Sequence, residues 1–349
     1  MPTFPAESLE ALTRDIFVAA GANADEAKTV ATVLLRANLS GHDSHGVLRV
    51  PQYCAYVREG YIVPGAALHR IRETPTTCIY DANWGFGQVS AMTALEESFP
   101  RAREMGLVAF GIRRCNHIGR LGHYGEVAAE DGFVALLTVN NAGAGGAVAP
   151  FGGRQGRLGT NPMCVAVPSE GEPVLIDMTS SVVAEGKIRI RRNRGERLPE
   201  GWIFDAAGNP STDPNDFYGP PRGAILPFGG PVAHKGFALG MMVDLLSGAL
   251  AGAGTTGERS GHVGNGVFCL LADVEAFRPL DEFRACVADM GRRVKDCPPA
   301  DGFDEVLLPG EPEARARRAR YATGVFIEDA TWAQIVAEAE RYGCRVPNV

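Results

Sequence analysis

No two of the eight cysteines form a C-x-x-C pair, no apolar run reaches the length of a membrane span, and positive charge is in deficit. Each lack excludes something. The thiols are scattered, at positions 54, 78, 115, 164, 269, 286, 297 and 344 of a 349-residue chain. That reads as reduced cysteines rather than a disulfide framework or a zinc ribbon. The longest apolar run, 237–254, is interrupted by Asp244 and is short for a bilayer. A net charge of −7 argues against nucleic acid as the main partner, because phosphate binding needs a positive field. The first residues hold neither a basic nor an apolar signal region, so a soluble, cytoplasmic protein with no membrane partner is expected.

What is present points to two domains, since a chain of this length can bury a sizeable core. Leu9, Leu12, Ile16 and Phe17 recur at helical spacing. Asn23 followed by Glu26 matches a capping box, opening a helix that turns Ala27, Val30, Val33, Leu34 and Ala37 inward and stops near Gly41. A short helix is expected over 50–58. From about 75 onward the texture changes to short β-rich runs at 77–80, 107–112, 133–139, 163–167, 174–176 and 266–272, with helices near 88–104 and 235–251. Helices return from about 281. The expected class is α+β (mixed α/β): a helical domain formed by 1–72 together with 281–349, and a sheet domain over 73–280.

Two glycine patterns invite a dinucleotide reading and fail it. Gly252 to Gly257 spells G-x-G-x-x-G but follows a helix rather than a strand. Gly85 to Ser90 lies between a strand and a helix, yet the next strand runs into Arg113 and Arg114 where a ribose-binding acid belongs. The stretch 42–46 nearly spells a nucleophile elbow, but a helix precedes Ser44 where that turn needs a strand.

The densest chemistry lies in Gly41 to Arg49, which holds two imidazoles, a carboxylate, a hydroxyl and a guanidinium; Asn116 to Gly122 adds another His and another Arg. Reducing a carbonyl beside a carboxylate needs a proton donor, a cation and a nicotinamide. His45 suits the first, its ordinary pKa lying near working pH. Arg49, four residues on, projects from the same face if the segment is helical, and can grip a carboxylate with two prongs. A competing set of metal ligands, His42, His45, His117 and Asp177, has no spacing that fixes a coordination geometry, and no metal is expected. Arg189, Arg191, Arg192, Arg194 and Arg197 form a basic run that reads either as solvated surface or as a seat for a cofactor phosphate.

Taken together, GHDSHGVLR (41–49), NHIGRLGHY (116–124), APFGG (149–153), RLGTNP (157–162), IDMTSS (176–181) and the long motif at 227–250 resemble the type-2 malate/L-lactate dehydrogenase family, and the likeness runs from about 5 to 340. The resemblance implies a non-Rossmann, largely antiparallel sheet domain that binds NAD(P) beside a helical domain, in a homodimer. It implies an oxidoreductase interconverting 2-oxo and 2-hydroxy acids of the malate, lactate or sulfolactate kind. The alternatives are a cyclic imine carboxylate reductase or, outside redox chemistry, a metal-dependent or non-redox binding protein. By position it implies Ser44 and His45 as a catalytic pair and His117 as a second candidate acid/base, with Arg49 and Thr160 on the substrate. It implies cofactor contacts at Gly119, Arg120, Leu121, Leu175, Ile176, Asp177, Met178, Thr179, His234, Lys235, Asn265, Gly310 and Glu311. Five arginines within nine residues repel one another unless water screens them, which favours the solvated reading of the basic run and NAD over NADP.

Overall fold

Apolar residues at three- and four-residue spacing fold the N-terminal region into α1 (Ala6–Ala19), α2 (Ala24–Leu39) and α3 (Val50–Arg58) in the computed structural model, which describes residues 3–258 and 261–347. The capping box of α2 is complete: Asn23 Oδ1 accepts from the Asp25 and Glu26 amides, and Glu26 Oε2 accepts from the Asn23 amide at 3.0 Å. These helices share a core of Leu9, Leu12, Ile16, Phe17, Val30 and Leu34 with Ile335 and Ala339 from the far end of the chain. Strand Thr3–Phe4 pairs with Val325–Phe326 and ties the two ends together.

The sheet is built from β1 (His69–Glu73), β2 (Thr77–Asp81), β3 (Leu107–Cys115), β4 (Phe133–Ala142), β5 (Pro162–Val167), β6 (Val174–Thr179) and β7 (Gly264–Asp273). Their spatial order is β1-β2-β3-β7-β4-β5-β6. Only β2 and β3 run parallel, so the sheet is largely antiparallel and not of the Rossmann kind. The last strand in sequence, β7, occupies the middle. Alternate residues of β3, β4 and β7, among them Phe110, Ile112, Leu137, Val139, Val267 and Leu271, are buried on one face, as the two-residue period of a strand requires. Two helices, α4 (Gly87–Met105) and α5 (Leu121–Glu130), belong to the same core. β1 escapes the reading from composition because all five of its residues are exposed and none repeats as a buried face.

A third, small core of Val148, Leu158, Ile188, Ile203, Phe217 and Ile225 gathers around α6 (Glu185–Asn193) and three two-residue strands. α7 (His234–Asp244) continues as a π-helical stretch, Leu245–Leu250. The G-x-G-x-x-G letters then fall on the loop after it, where the Thr256 amide donates to Asp244 at 3.1 Å. Beyond the sheet come α8 (Leu280–Lys295), α9 (Glu311–Thr323) and α10 (Asp329–Arg341). Among the described residues no helix is long and apolar enough to cross a membrane.

Candidate active site

At the end of α2 the chain turns through Gly41, whose φ of +81° suits a residue without Cβ. Two 3-10 turns follow, Asp43–His45 and Val47–Arg49, joined at Gly46 in extended backbone. His45 and Arg49 therefore do not share one continuous helical face; the turns bring them together instead. Asn38 holds this arrangement from inside, donating to Asp43 Oδ1 at 2.7 Å and accepting from the Val47 amide at 2.8 Å. A Cβ at Gly46 would run into the Asn38 side chain, which explains glycine there. Arg320 of α9 grips Asp43 from the other side, at 2.6 and 3.1 Å.

His117 arrives from the segment after β3. Its backbone packs so closely on the start of α4 that a Cβ at Gly87 would lie 2.6 Å from the His117 carbonyl oxygen, and closer still to that of Asn116. The His117 ring stacks on that of His45, with centroids 5.5 Å apart and planes 16° from parallel. Its Nδ1 meets Tyr53 Oη at 2.6 Å, and Gln88 Nε2 donates to the same oxygen at 2.9 Å. On the His45 side, Nδ1 meets Ser44 Oγ at 3.0 Å. Gly186, at the start of α6, covers Ser44 so tightly that an added Cβ would come to 3.0 Å of the Ser44 Cβ.

Burial, reinforced by the charge of Arg49, pulls His45 down to about 3 and holds His117 well below the usual histidine range. Both rings are neutral near pH 7. Burial also lowers Arg49, but a guanidinium stays charged. Two of its five N–H groups are engaged within the protein: Nε donates to the Ser44 carbonyl and Nη1 to Gln52 Oε1, each at 2.8 Å. Among the described residues, one hydrogen on Nη1 and both on Nη2 have no partner and remain for a ligand.

These side chains border one cavity of about 670 Å³. Ser44, His45, Arg49, His117 and Thr160 line it together with Gly119, Arg120, Leu121, Asp177, Met178, Thr179 and Asn265. Six candidate residues stand outside that lining. Leu175 and Ile176 lie just before it on β6, and Gly310 with Glu311 abuts Leu175, whose amide donates to the Pro309 carbonyl at 3.1 Å. His234 and Lys235 are exposed at the start of α7, with His234 edge-on to Phe151.

Arg120 is almost wholly buried, and Glu126 occupies its Nη1 and Nη2 at 3.3 and 3.1 Å. Among the described residues its Nε has no hydrogen-bond partner, and it lies 3.6 Å from Asp177 Oδ2. Burial pushes Asp177 above the usual carboxylate range against the pull of Arg120, and the Gly122 amide donates to it at 2.8 Å. Of the basic run, Arg191 pairs with Glu196, Arg192 with Asn215, and Arg194 with Glu328. None of the five lines the cavity. Among the described residues no three His, Cys, Asp or Glu side chains converge to hold a metal ion.

Sequence reasoning missed Tyr53 and Gln88 behind the cavity, and Asn141 and Glu185 in its lining. Tyr53 carried a usable signal, lying one helical turn past Arg49; Gln88 carried none, its importance coming only from the phenol it meets.

The family model for malate/L-lactate dehydrogenases matches residues 4–336. An L-lactate dehydrogenase of Cupriavidus necator is 38% identical over 98% of both chains. Among solved structures, the malate dehydrogenase of Entamoeba histolytica superposes with a TM-score of 0.94 at 27% identity over 99% of each chain. The Δ1-piperideine-2-carboxylate reductase of Pseudomonas syringae does so with a TM-score of 0.84 at 29% identity, over 97% of this chain and all of that one.

Proposed function

This chain belongs to the malate/L-lactate dehydrogenase family, an oxidoreductase on CH–OH donors that takes a small hydroxy or oxo acid, and from that premise we propose that it reduces a 2-oxo acid with NADH at the cavity bordered by Arg49, His45 and His117. One observation carries the reading: a guanidinium with three free N–H groups stands in the same cavity as two neutral imidazoles. The cation anchors the carboxylate, and an imidazole meets the neighbouring carbonyl oxygen.

The family implies a nicotinamide cofactor, and the donor set suits one. Among the described residues the Asn141 amide nitrogen and the Thr160 hydroxyl are uncommitted and match a carboxamide and a ribose hydroxyl. Asn265 donates to Asn141 at 3.4 Å and braces it, Thr179 donates its hydrogen to the Ser181 carbonyl, and Leu121, Val139 and Met178 present apolar walls to a ring. When bound, the reduced nicotinamide supplies a hydride to the carbonyl carbon. The residues of the chain do the rest. Arg49 fixes the acid by its carboxylate, Ser44 steadies His45, and α6 with Val182 and Val183 narrows access for water. Because relatives include a cyclic imine reductase, the decisive experiment offers a panel of 2-oxo acids and cyclic imine carboxylates with each reduced cofactor. A 2-oxo acid with NADH is expected to give the highest kcat/KM. A tenfold preference for NADPH, worth about 1.4 kcal/mol, would show that the arginines of 189–197 seat a 2′-phosphate, and turnover confined to imines would replace the substrate class.

The homodimer is part of the same proposal. Along α7 and its continuation, Ala238, Met241, Leu245 and Ala249 recur every three or four residues and are all exposed, an apolar stripe that a second copy would cover. Analytical ultracentrifugation is expected to find a dimer, and Met241→Glu with Leu245→Glu to give a monomer. A wild-type monomer at micromolar concentration would refute this.

A further inference from the structure

Three side chains from three elements run in file behind the cavity: Gln88 from the first turn of α4, Tyr53 from α3, and His117. Gln88 and Tyr53 are each 1% exposed, so bulk water does not compete for their hydrogen bonds. A phenol oxygen carries one hydrogen. With the Gln88 amide donating to one of its lone pairs, that hydrogen has a single acceptor in reach among the described residues, Nδ1 of His117 at 2.6 Å. A neutral imidazole whose Nδ1 accepts must keep its own hydrogen on Nε2, the nitrogen left for a molecule in the cavity.

We propose that Tyr53 and Gln88 are positioning residues that lock His117 in the Nε2–H form and so make His117, rather than His45, the proton donor to the carbonyl oxygen; this rests on the reading of the cavity as a 2-oxo acid reductase site. His45 lacks such a device. Its Nδ1 meets a serine hydroxyl that can both donate and accept, and among the described residues no further group dictates which. Burial keeps Tyr53 a phenol, pushed up to about 12, and keeps the His117 ring neutral.

Hydride supplies both electrons to the carbonyl carbon, and the resulting alkoxide takes the Nε2 proton, breaking N–H as O–H forms. The Tyr53 proton crosses to Nδ1, so the imidazole stays neutral with its hydrogen moved, and the phenolate is held by the Gln88 amide. A phenol is a stronger acid than an alcohol, so the transfer runs downhill. Once the hydroxy acid leaves, water in the cavity protonates Nε2 of His117 and the Nδ1 hydrogen returns to Tyr53.

Tyr53→Phe keeps the ring and removes the hydroxyl. It is expected to lower kcat for 2-oxo acid reduction ten- to a hundredfold, with KM for the acid and nicotinamide affinity within twofold. Its pH profile should move as well. Hydroxy acid oxidation runs the relay backwards, so it begins with Nε2 bare and the Tyr53–His117 pair short of one proton, and its acid limb in the wild type follows loss of that proton. Phenylalanine lets the neutral ring carry its hydrogen on Nδ1 with Nε2 already bare, so the acid limb shifts downward by about one pH unit or more. Gln88→Leu should lower kcat by less and move the acid limb upward instead, because the phenolate loses its donor. Nitrogen-15 spectra of the histidine rings in the cofactor-free protein, with His117 assigned through His117→Gln, give a readout free of turnover: Nε2 protonated and Nδ1 bare in the wild type, and that preference lost in Tyr53→Phe. A wild-type His117 protonated on Nδ1 would overturn the proposal, as would a Tyr53→Phe enzyme with unchanged kcat and pH profile. If the wild type turned over neither oxo acids nor imines, the function would fall while the spectra still decided the tautomer.

Discussion

Replacing His117 with alanine is expected to lower kcat for the oxo acid by roughly 10²–10⁴, the usual cost of losing a positioned acid, while quenching of nicotinamide fluorescence on binding stays near normal. The size of the effect follows from geometry. Once the imidazole is gone, the Tyr53 hydroxyl is left at the far side of the space the ring filled, too distant to serve the substrate directly. His45→Ala should cost less, because it removes the stacked neighbour at 5.5 Å rather than the end of the Tyr53 chain. Steady-state kinetics of the two variants side by side tests the assignment. Near-normal turnover in His117→Ala with near-total loss in His45→Ala would exchange their roles, and activity in both would send the search for the acid elsewhere.

Arg49→Lys should raise KM for the oxo acid by roughly ten- to a hundredfold, in line with about 1.5–3 kcal/mol for a hydrogen bond to a charged group, and leave cofactor affinity alone. Lysine keeps the charge but not the fork. It also abandons internal duties, since the arginine donates to the Ser44 carbonyl and to Gln52 as well as facing the cavity. A modest fall in kcat through a loosened Ser44–His45 turn is therefore expected alongside the KM effect. An unchanged KM would remove Arg49 from the substrate.

Local signals were legible where they were local in cause. The cap at Asn23 and Glu26, the turn at Gly41 and the helix over 50–58 could be read directly, because each depends on residues within one turn. Strand ends were not. β3 runs on through Arg113 and Arg114, past the run expected over 107–112, with Asp81 of the parallel neighbour β2 lying 3.1 and 2.7 Å from them. Strand order was hidden for the same reason, since nothing in the composition of Gly264–Asp273 says that it lies between β3 and β4. For the site, the density of polar groups at 41–49 and 116–122 was visible, but the i to i+4 argument joining His45 to Arg49 assumed a helix that Gly46 interrupts. Gln88 stayed invisible because its role exists only across a tertiary contact.

The central place of β7 bears on how the protein is made. β3 is complete by residue 115 and β4 by residue 142, yet the strand that separates and pairs with both begins at residue 264. At about 5–20 residues per second, a ribosome leaves the pairing edge of β3 open for roughly 8–30 s, a span over which apolar strand edges invite wrong partners. Asp43 waits longer still for Arg320, near the end of the chain. Cotranslational folding therefore stops short of a complete sheet until residues 264–273 are made, and the turn over residues 43–49 acquires its Arg320 tether only once residue 320 has been added.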